Sequence, residues 1–154
     1  MLDDSLKSQL GGYLQRLQHD VHLIASLDDS EAAGQMRTLL SEITELSPRV
    51  IARFDGTAER RPSFQVTRAG ANMGVVFAAV PLGHEFTSLV LALLQVGGHP
   101  VRIDDALAAQ VRVLPGDYSF ETYMSLHCQS CPDTIQALNA MSVLNPRIKH
   151  IAID

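Results

Sequence analysis

Apolar positions along the chain alternate between spacings of three to four and spacings of two, and the switches divide it into short helices and strands. Leu6, Leu10, Tyr13, Leu14 and Leu17 share one face of a helix predicted over residues 4–18. Gly11 and Gly12 weaken that helix by about 1 kcal/mol each relative to Ala, so packing must offset them. Residues 21–27 read as a short, largely buried strand. Asp28-Asp29-Ser30-Glu31 then supplies capping side chains and acids for a helix start. That helix carries Met36, Leu39, Leu40, Ile43 and Leu46 and stops before Pro48. Strands follow at 50–54, at 63–67 behind Pro62, and at 75–80, with turns at Asp55-Gly56 and around Gly70. The helix predicted over 83–97 is apolar on nearly every face, which demands cover on more than one side. The second half of the chain is the expected cover, after Gly97-Gly98-His99-Pro100 stops the helix. That half reads as a helix at 104–113, a strand at 118–125, a helix at 132–143 and a strand at 147–153.

Composition sharpens this α/β pattern without changing it. A chain of 154 residues fits one ordinary domain or two small ones packed together. Trp is absent and aromatics make up only 5%, so the core must be Leu, Val, Ile and Ala. A formal charge of −5 argues against a nucleic-acid partner, which would want a basic face. The acidic start Met1-Leu2-Asp3-Asp4-Ser5 is not a signal peptide. The longest apolar run, residues 89–94, is too short to cross a bilayer. A soluble, cytoplasmic protein without membrane contact is expected.

The only two cysteines stand three apart in Leu126-His127-Cys128-Gln129-Ser130-Cys131-Pro132, between a strand and a helix. That placement reads as a thioredoxin-like redox motif. Residues so spaced at a helix start lie on one face, and the unpaired N–H groups there favour a thiolate. A thioredoxin-type site lowers a thiol pKa from about 8.5 to about 7. The gain in attack rate is only about three-fold, because nucleophilicity falls with pKa. Most of the rate must therefore come from docking and leaving-group quality. Cys128, at the exposed end of the turn, is expected to attack, and Cys131, one turn in, to resolve the mixed disulfide. Pro132 suits the first helical turn. Two other readings stay open: buried structural cysteines, or two zinc ligands with His127 and His150 the only nearby additions. His127 could stabilise a Cys128 thiolate when protonated, or be a solvated neighbour. Tyr13, Tyr118 and Tyr123 read as core and rim packing.

An internal repeat runs through the chain at an offset of 98 residues, from position 43 to position 141. Ile43, Leu46, Pro48, Arg49 and Val50 fall on Met141, Leu144, Pro146, Arg147 and Ile148. The same offset places Ser30 and Ala33 where Cys128 and Cys131 stand. Helix–strand–turn–helix–strand order recurs in both halves, which supports duplication. The expected fold is therefore two tandem thioredoxin-like folds packed together. Residues 1–100 form one without redox cysteines, and residues 101–154 form a truncated one carrying the C-x-x-C pair. In thioredoxin-like folds a cis-proline stands where Pro62 does and faces the disulfide; its second copy would lie past Asp154. An open sheet edge is expected as a result.

Longer motifs are more specific than the cysteine pair. They are residues 81–94 (Pro81-Leu82-Gly83-His84-Glu85-Phe86 onward), Gly97-Gly98-His99-Pro100, Cys128 through Asp133, Gln136-Ala137-Leu138-Asn139, and residues 141–150. With them the chain resembles, over its whole length, the N-terminal region of the alkyl hydroperoxide reductase flavoproteins (AhpF), the electron donors of bacterial peroxiredoxins. The resemblance implies two fused thioredoxin-like folds, of which only the second keeps its cysteines. It implies that Cys128 and Cys131 are a relay pair, taking electrons from a reductase module that binds FAD and NADH and passing them to a peroxiredoxin. It also marks Glu85 as an acid that modulates the pKa of the cysteines, whereas its own position reads simply as a favourable acid at a helix N-terminus. Full-length relatives are expected to be homodimers. Gln129-Ser130 replaces the family's usual His-Asn, which bears on the reduction potential. No G-x-G-x-x-G fingerprint occurs, so this chain is expected to hold neither cofactor. The competing reading is a redox-inactive interaction module on a degenerate thioredoxin scaffold.

Overall fold

The computed structural model describes residues 1–154. Its elements follow the order α1 (Asp4–Leu14), β1 (Val21–Ser26), α2 (Glu31–Leu46), β2 (Val50–Arg53), β3 (Ser63–Arg68) and β4 (Val75–Ala78). Then come a 3-10 turn (Gly83–Glu85), α3 (Phe86–Val96), α4 (Asp105–Arg112), β5 (Tyr118–Tyr123), α5 (Cys131–Leu144) and β6 (Ile148–Ile153). The six strands make one sheet in the order β2-β1-β3-β4-β6-β5. Helix α2 links the parallel pair β1 and β2, and α5 links the parallel pair β5 and β6. Strand β3 runs antiparallel to both β1 and β4. Strand β6 pairs in parallel with β4, which makes the sheet continuous across the chain's midpoint.

Burial follows the strand period of two. Leu23, Val66, Val75 and His150 are buried and in register across four strands. The alternate positions Ile24, Gln65, Val76 and Ile151 are only half-buried. Helices α1, α3 and α5 pack side by side, and α3 also meets β3, which gives that apolar helix the several-sided cover it needed. The core cluster of 26 residues runs from Leu2 to Ala152 and draws on both halves of the chain.

Three boundaries differ from those the apolar pattern predicts. Helix α1 stops at Leu14 rather than 18, because the N–H groups of Gln18 and His19 both donate to the Gly97 carbonyl, at 2.8 and 3.1 Å. Helix α3 begins as a 3-10 turn at Gly83, and β5 ends two residues early, at Tyr123. The Arg61–Pro62 bond is cis and opens β3, as the position of Pro62 suggested. The three tyrosines lie at the surface rather than in the core, with Tyr123 the most exposed at 68%.

Candidate redox site

The site is built from three segments that meet at one end of the sheet. Strand β5 delivers Met124 into the core, and the Met124 N–H donates to the Ile153 carbonyl at 2.8 Å. The chain then turns: the His127 N–H donates to Ser125 Oγ at 3.2 Å and the Cys128 N–H to the Ser125 carbonyl at 2.9 Å. Cys131 opens α5, with Pro132 in the first turn, where its missing N–H costs no helical bond. Against this turn lies the segment 81–86. Gly83 adopts φ 59° there, and a Cβ added to it would sit 3.3 Å from the Leu126 carbonyl oxygen, so a larger residue would be strained and crowded.

Cys128 and Cys131 form a disulfide with Cα atoms 5.5 Å apart. Both are half-buried. Cys131 packs against the core cluster beside Leu82, Phe86 and Leu126. The residue before α5, Ser130, has helical backbone angles and makes no side-chain cap bond. Its hydroxyl instead stands 3.8 Å from Cys128 Sγ. The first N–H groups of α5 are therefore free of side-chain acceptors at the point where the sulfurs sit, an electropositive setting for a sulfur anion.

The matching position in the first half is arranged differently. Ser30 has extended backbone, and its Oγ accepts from the Ala33 N–H at 3.1 Å. Asp28 in turn accepts from the Ser30 N–H at 3.0 Å, and hydrogen bonding from the Ser30 hydroxyl and N–H holds its carboxyl below the usual range. Where one half has sulfur, the other has an ordinary helix cap.

Glu85 is fully buried at the entry to α3. Its Oε1 accepts from Ser88 Oγ at 2.7 Å, and its Oε2 has no partner. Ser88 Oγ accepts in turn from Gln136 Nε2, on α5, at 3.2 Å. The structure thus brings Glu85 to the redox end of α5, while His127 is exposed and its side chain takes part in no hydrogen bond or ion pair. Two groups of this region escape a reading of the sequence alone. Ser88 could have been found as a small polar residue inside an otherwise apolar helix. Gln136 gave no such signal.

A second polar network lies behind the site. His150 is 1% exposed on β6, with Nδ1 2.8 Å from Asn139 Oδ1 on α5 and Nε2 2.7 Å from Thr122 Oγ1 on β5. An amide oxygen only accepts, so Nδ1 carries the proton and Nε2 accepts from Thr122. Burial pushes the His150 pKa down to about 4. This neutral imidazole ties the cysteine-bearing helix to both strands of its unit and is committed to that work. Nowhere do three or more His, Cys, Asp or Glu side chains cluster as metal ligands would.

A mixed α/β sheet with a C-x-x-C disulfide at a strand-to-helix turn defines a thioredoxin-like disulfide oxidoreductase. A protein disulfide oxidoreductase from Aeropyrum pernix superposes with a TM-score of 0.81 over 99% of this chain and 76% of that one; at 18% identity the likeness is one of fold. No established family profile matches the chain. Individual relatives are more specific. The alkyl hydroperoxide reductase flavoprotein AhpF is 56% identical over 155 residues in Escherichia coli and 51% identical over 154 in Pseudomonas aeruginosa, with all of this chain covered. The chain spans only 30% of those relatives' length. The N-terminal domain of Enterococcus faecalis AhpF superposes with a TM-score of 0.90 at 28% identity, over all of this chain and 80% of that one. From end to end, the chain matches the N-terminal region of AhpF.

Proposed function

We propose that this chain is the thiol–disulfide relay of a peroxide-detoxifying system, carrying electron pairs from a flavin-dependent, NADH-oxidising reductase module to a peroxiredoxin. The observation that carries the reading is the half-exposed Cys128–Cys131 disulfide at an uncapped helix N-terminus. We also read the chain as two tandem thioredoxin-like units, residues 1–100 and 101–154, working in the cytoplasm. In support, β1 and β2 pair from Val21↔Val50 and β5 and β6 from Tyr118↔Ile148, each joined by a crossover helix. FAD and NADH belong to the part of the longer relatives that this chain does not span, and homodimerisation to the full-length protein.

In the proposed cycle the reductase module delivers two electrons and two protons to the disulfide, giving two thiols. Cys128, as thiolate, attacks one sulfur of the oxidised peroxiredoxin; a mixed disulfide forms and one peroxiredoxin thiolate leaves. Cys131 then attacks Cys128 Sγ, re-forming the internal disulfide and releasing the second thiolate. Helix α5 stabilises the attacking anion. Glu85 acts on the same pair from its buried position, since a nearby carboxylate disfavours a thiolate. His127, exposed beside Cys128, favours it when protonated.

The test uses the full chain, reduced and freed of reductant, mixed with an oxidised bacterial peroxiredoxin, with thiols counted by mass spectrometry after alkylation. The wild type is expected to reduce one disulfide per chain. Cys128→Ser should lower the rate at least about 100-fold, and Cys131→Ser should accumulate the mixed disulfide. Transfer that survives Cys128→Ser would overturn the assignment. No transfer by the wild type would favour a passive interaction module.

A further inference from the structure

Serine is a poor choice for a buried position on an apolar helix unless both its donor and its acceptor are used. Ser88 is 1% exposed in the first turn of α3, among Leu89, Val90 and Leu93. It uses both capacities: it donates to Glu85 Oε1 at 2.7 Å and accepts from Gln136 Nε2 at 3.2 Å. Gln136 lies five residues after Cys131 on α5, and 48 residues separate it from Ser88. The relay of contacts Gln136–Ser88–Glu85 therefore crosses from the cysteine-bearing helix to the acid on the opposite half of the molecule. Ser88 is also the only hydrogen-bond partner of the Glu85 carboxyl, whose other oxygen is buried without one.

We propose that Ser88 and Gln136 are positioning residues of the redox site, together holding the buried Glu85 carboxyl in place beside the N-terminal end of α5. The proposal rests on the role given to Glu85 above and extends it. A carboxyl with one anchor turns or withdraws when that anchor goes, and its influence on the thiols falls accordingly. Loss of Ser88 removes the anchor itself. Loss of Gln136 removes what orients the Ser88 hydroxyl, so its effect should be smaller. The other titratable groups around the disulfide are His84 beside Glu85, and His127 and Asp133 on either side of the cysteines; all three are exposed. They are common to every variant and cancel from the comparison.

The experiment measures iodoacetamide alkylation of the reduced full chain from pH 5 to pH 9, with far-UV circular dichroism as a check on folding. Glu85→Gln should speed alkylation at pH 7 by about three- to ten-fold, by removing a negative neighbour. Ser88→Ala should move the profile the same way by a smaller factor, at least about two-fold. Gln136→Met, at a half-buried position that tolerates the change, should move it less again, and Ser88→Thr should restore the wild-type profile. In a Glu85→Gln background neither Ser88→Ala nor Gln136→Met should shift it further. If Glu85→Gln alone leaves the profile unmoved, the reading of Glu85 fails and takes this proposal with it. If Glu85→Gln shifts it but Ser88→Ala and Gln136→Met do not, the Glu85 reading stands and the positioning role is overturned. A Ser88→Ala shift that persists without the acid also overturns it.

Discussion

At the scale of single residues, the molecule places its uncharged and charged polar groups in different kinds of site. His150 shows the consequence most directly. Its folded-state pKa, about 4, lies below the ordinary histidine value of 6.5 because burial disfavours the imidazolium. The unfolded chain therefore binds a proton more readily between those two values, and stability rises with pH across them. The contribution is complete above the unfolded pKa and is lost as pH falls toward the folded one. Between pH 7 and pH 4.5 the loss amounts to about 2–3 kcal/mol as an upper bound. His150→Gln keeps hydrogen-bonding capacity toward Asn139 and Thr122 but removes the titration. Urea unfolding at the two pH values should show the wild type losing more stability than the variant over that interval. Equal losses would show that the imidazole is reached by protons in the folded state at little cost.

At the scale of elements, the two crossover helices α2 and α5 separate capping from chemistry. Ser30 accepts the Ala33 N–H and stabilises α2, so Ser30→Ala should cost about 1 kcal/mol in unfolding experiments. The alkylation profile of the cysteines should not change, because the cap belongs to the thiol-free half. A cap at α5 would compete with sulfur for the same N–H groups, and Ser130 makes none. This contrast was legible in the sequence: the 98-residue offset laid Ser30 and Ala33 over the cysteines, and Asp28-Asp29-Ser30-Glu31 announced a helix start. Helix α2 falls where its apolar spacing and capping residues put it, since both signals are local. The end of α1 was not legible, because a carbonyl far along the chain, on Gly97, takes the N–H groups of Gln18 and His19. Nor was strand order. Nothing in the alternation of β6 says that it inserts between β4 and β5 rather than lying outside them. Cys128, Cys131 and Glu85 could be named from motif and resemblance. The pairing of Ser88 with Gln136, and of His150 with Asn139 and Thr122, depends on that strand order and on helix packing, so it had no sequence signal of its own.

At the scale of the whole molecule, the question is whether residues 1–100 and 101–154 behave as one cooperative body. The seam between them is the parallel pairing of β4 with β6, from Val75↔His150 to Ala78↔Ile153. It is close at its start: the His150 N–H donates to the Gly74 carbonyl at 2.7 Å, and a Cβ on Gly74 would lie 2.6 Å from the Ile148 carbonyl oxygen. Above the seam α3, from the first half, packs against α5, from the second, and Met124, Ile135 and Ala152 join the same core cluster as Leu23 and Phe64. Neither half can separate without exposing the apolar faces of α3 and α5 and breaking the ladder at β4. Two-state unfolding follows for a chain of this size with one shared core. In the reduced protein, urea transitions followed by far-UV circular dichroism and by alkylation of the otherwise half-buried Cys131 should coincide. Gly74→Ala, which drives a methyl group into backbone it cannot move, should lower both midpoints together, by at least about 2 kcal/mol of stability. If Cys131 became reactive in an earlier, separate transition, the halves would be independent bodies joined only by the linker near residue 100. The contacts Gln136–Ser88–Glu85 would then cross a boundary too loose to fix an acid beside a thiol.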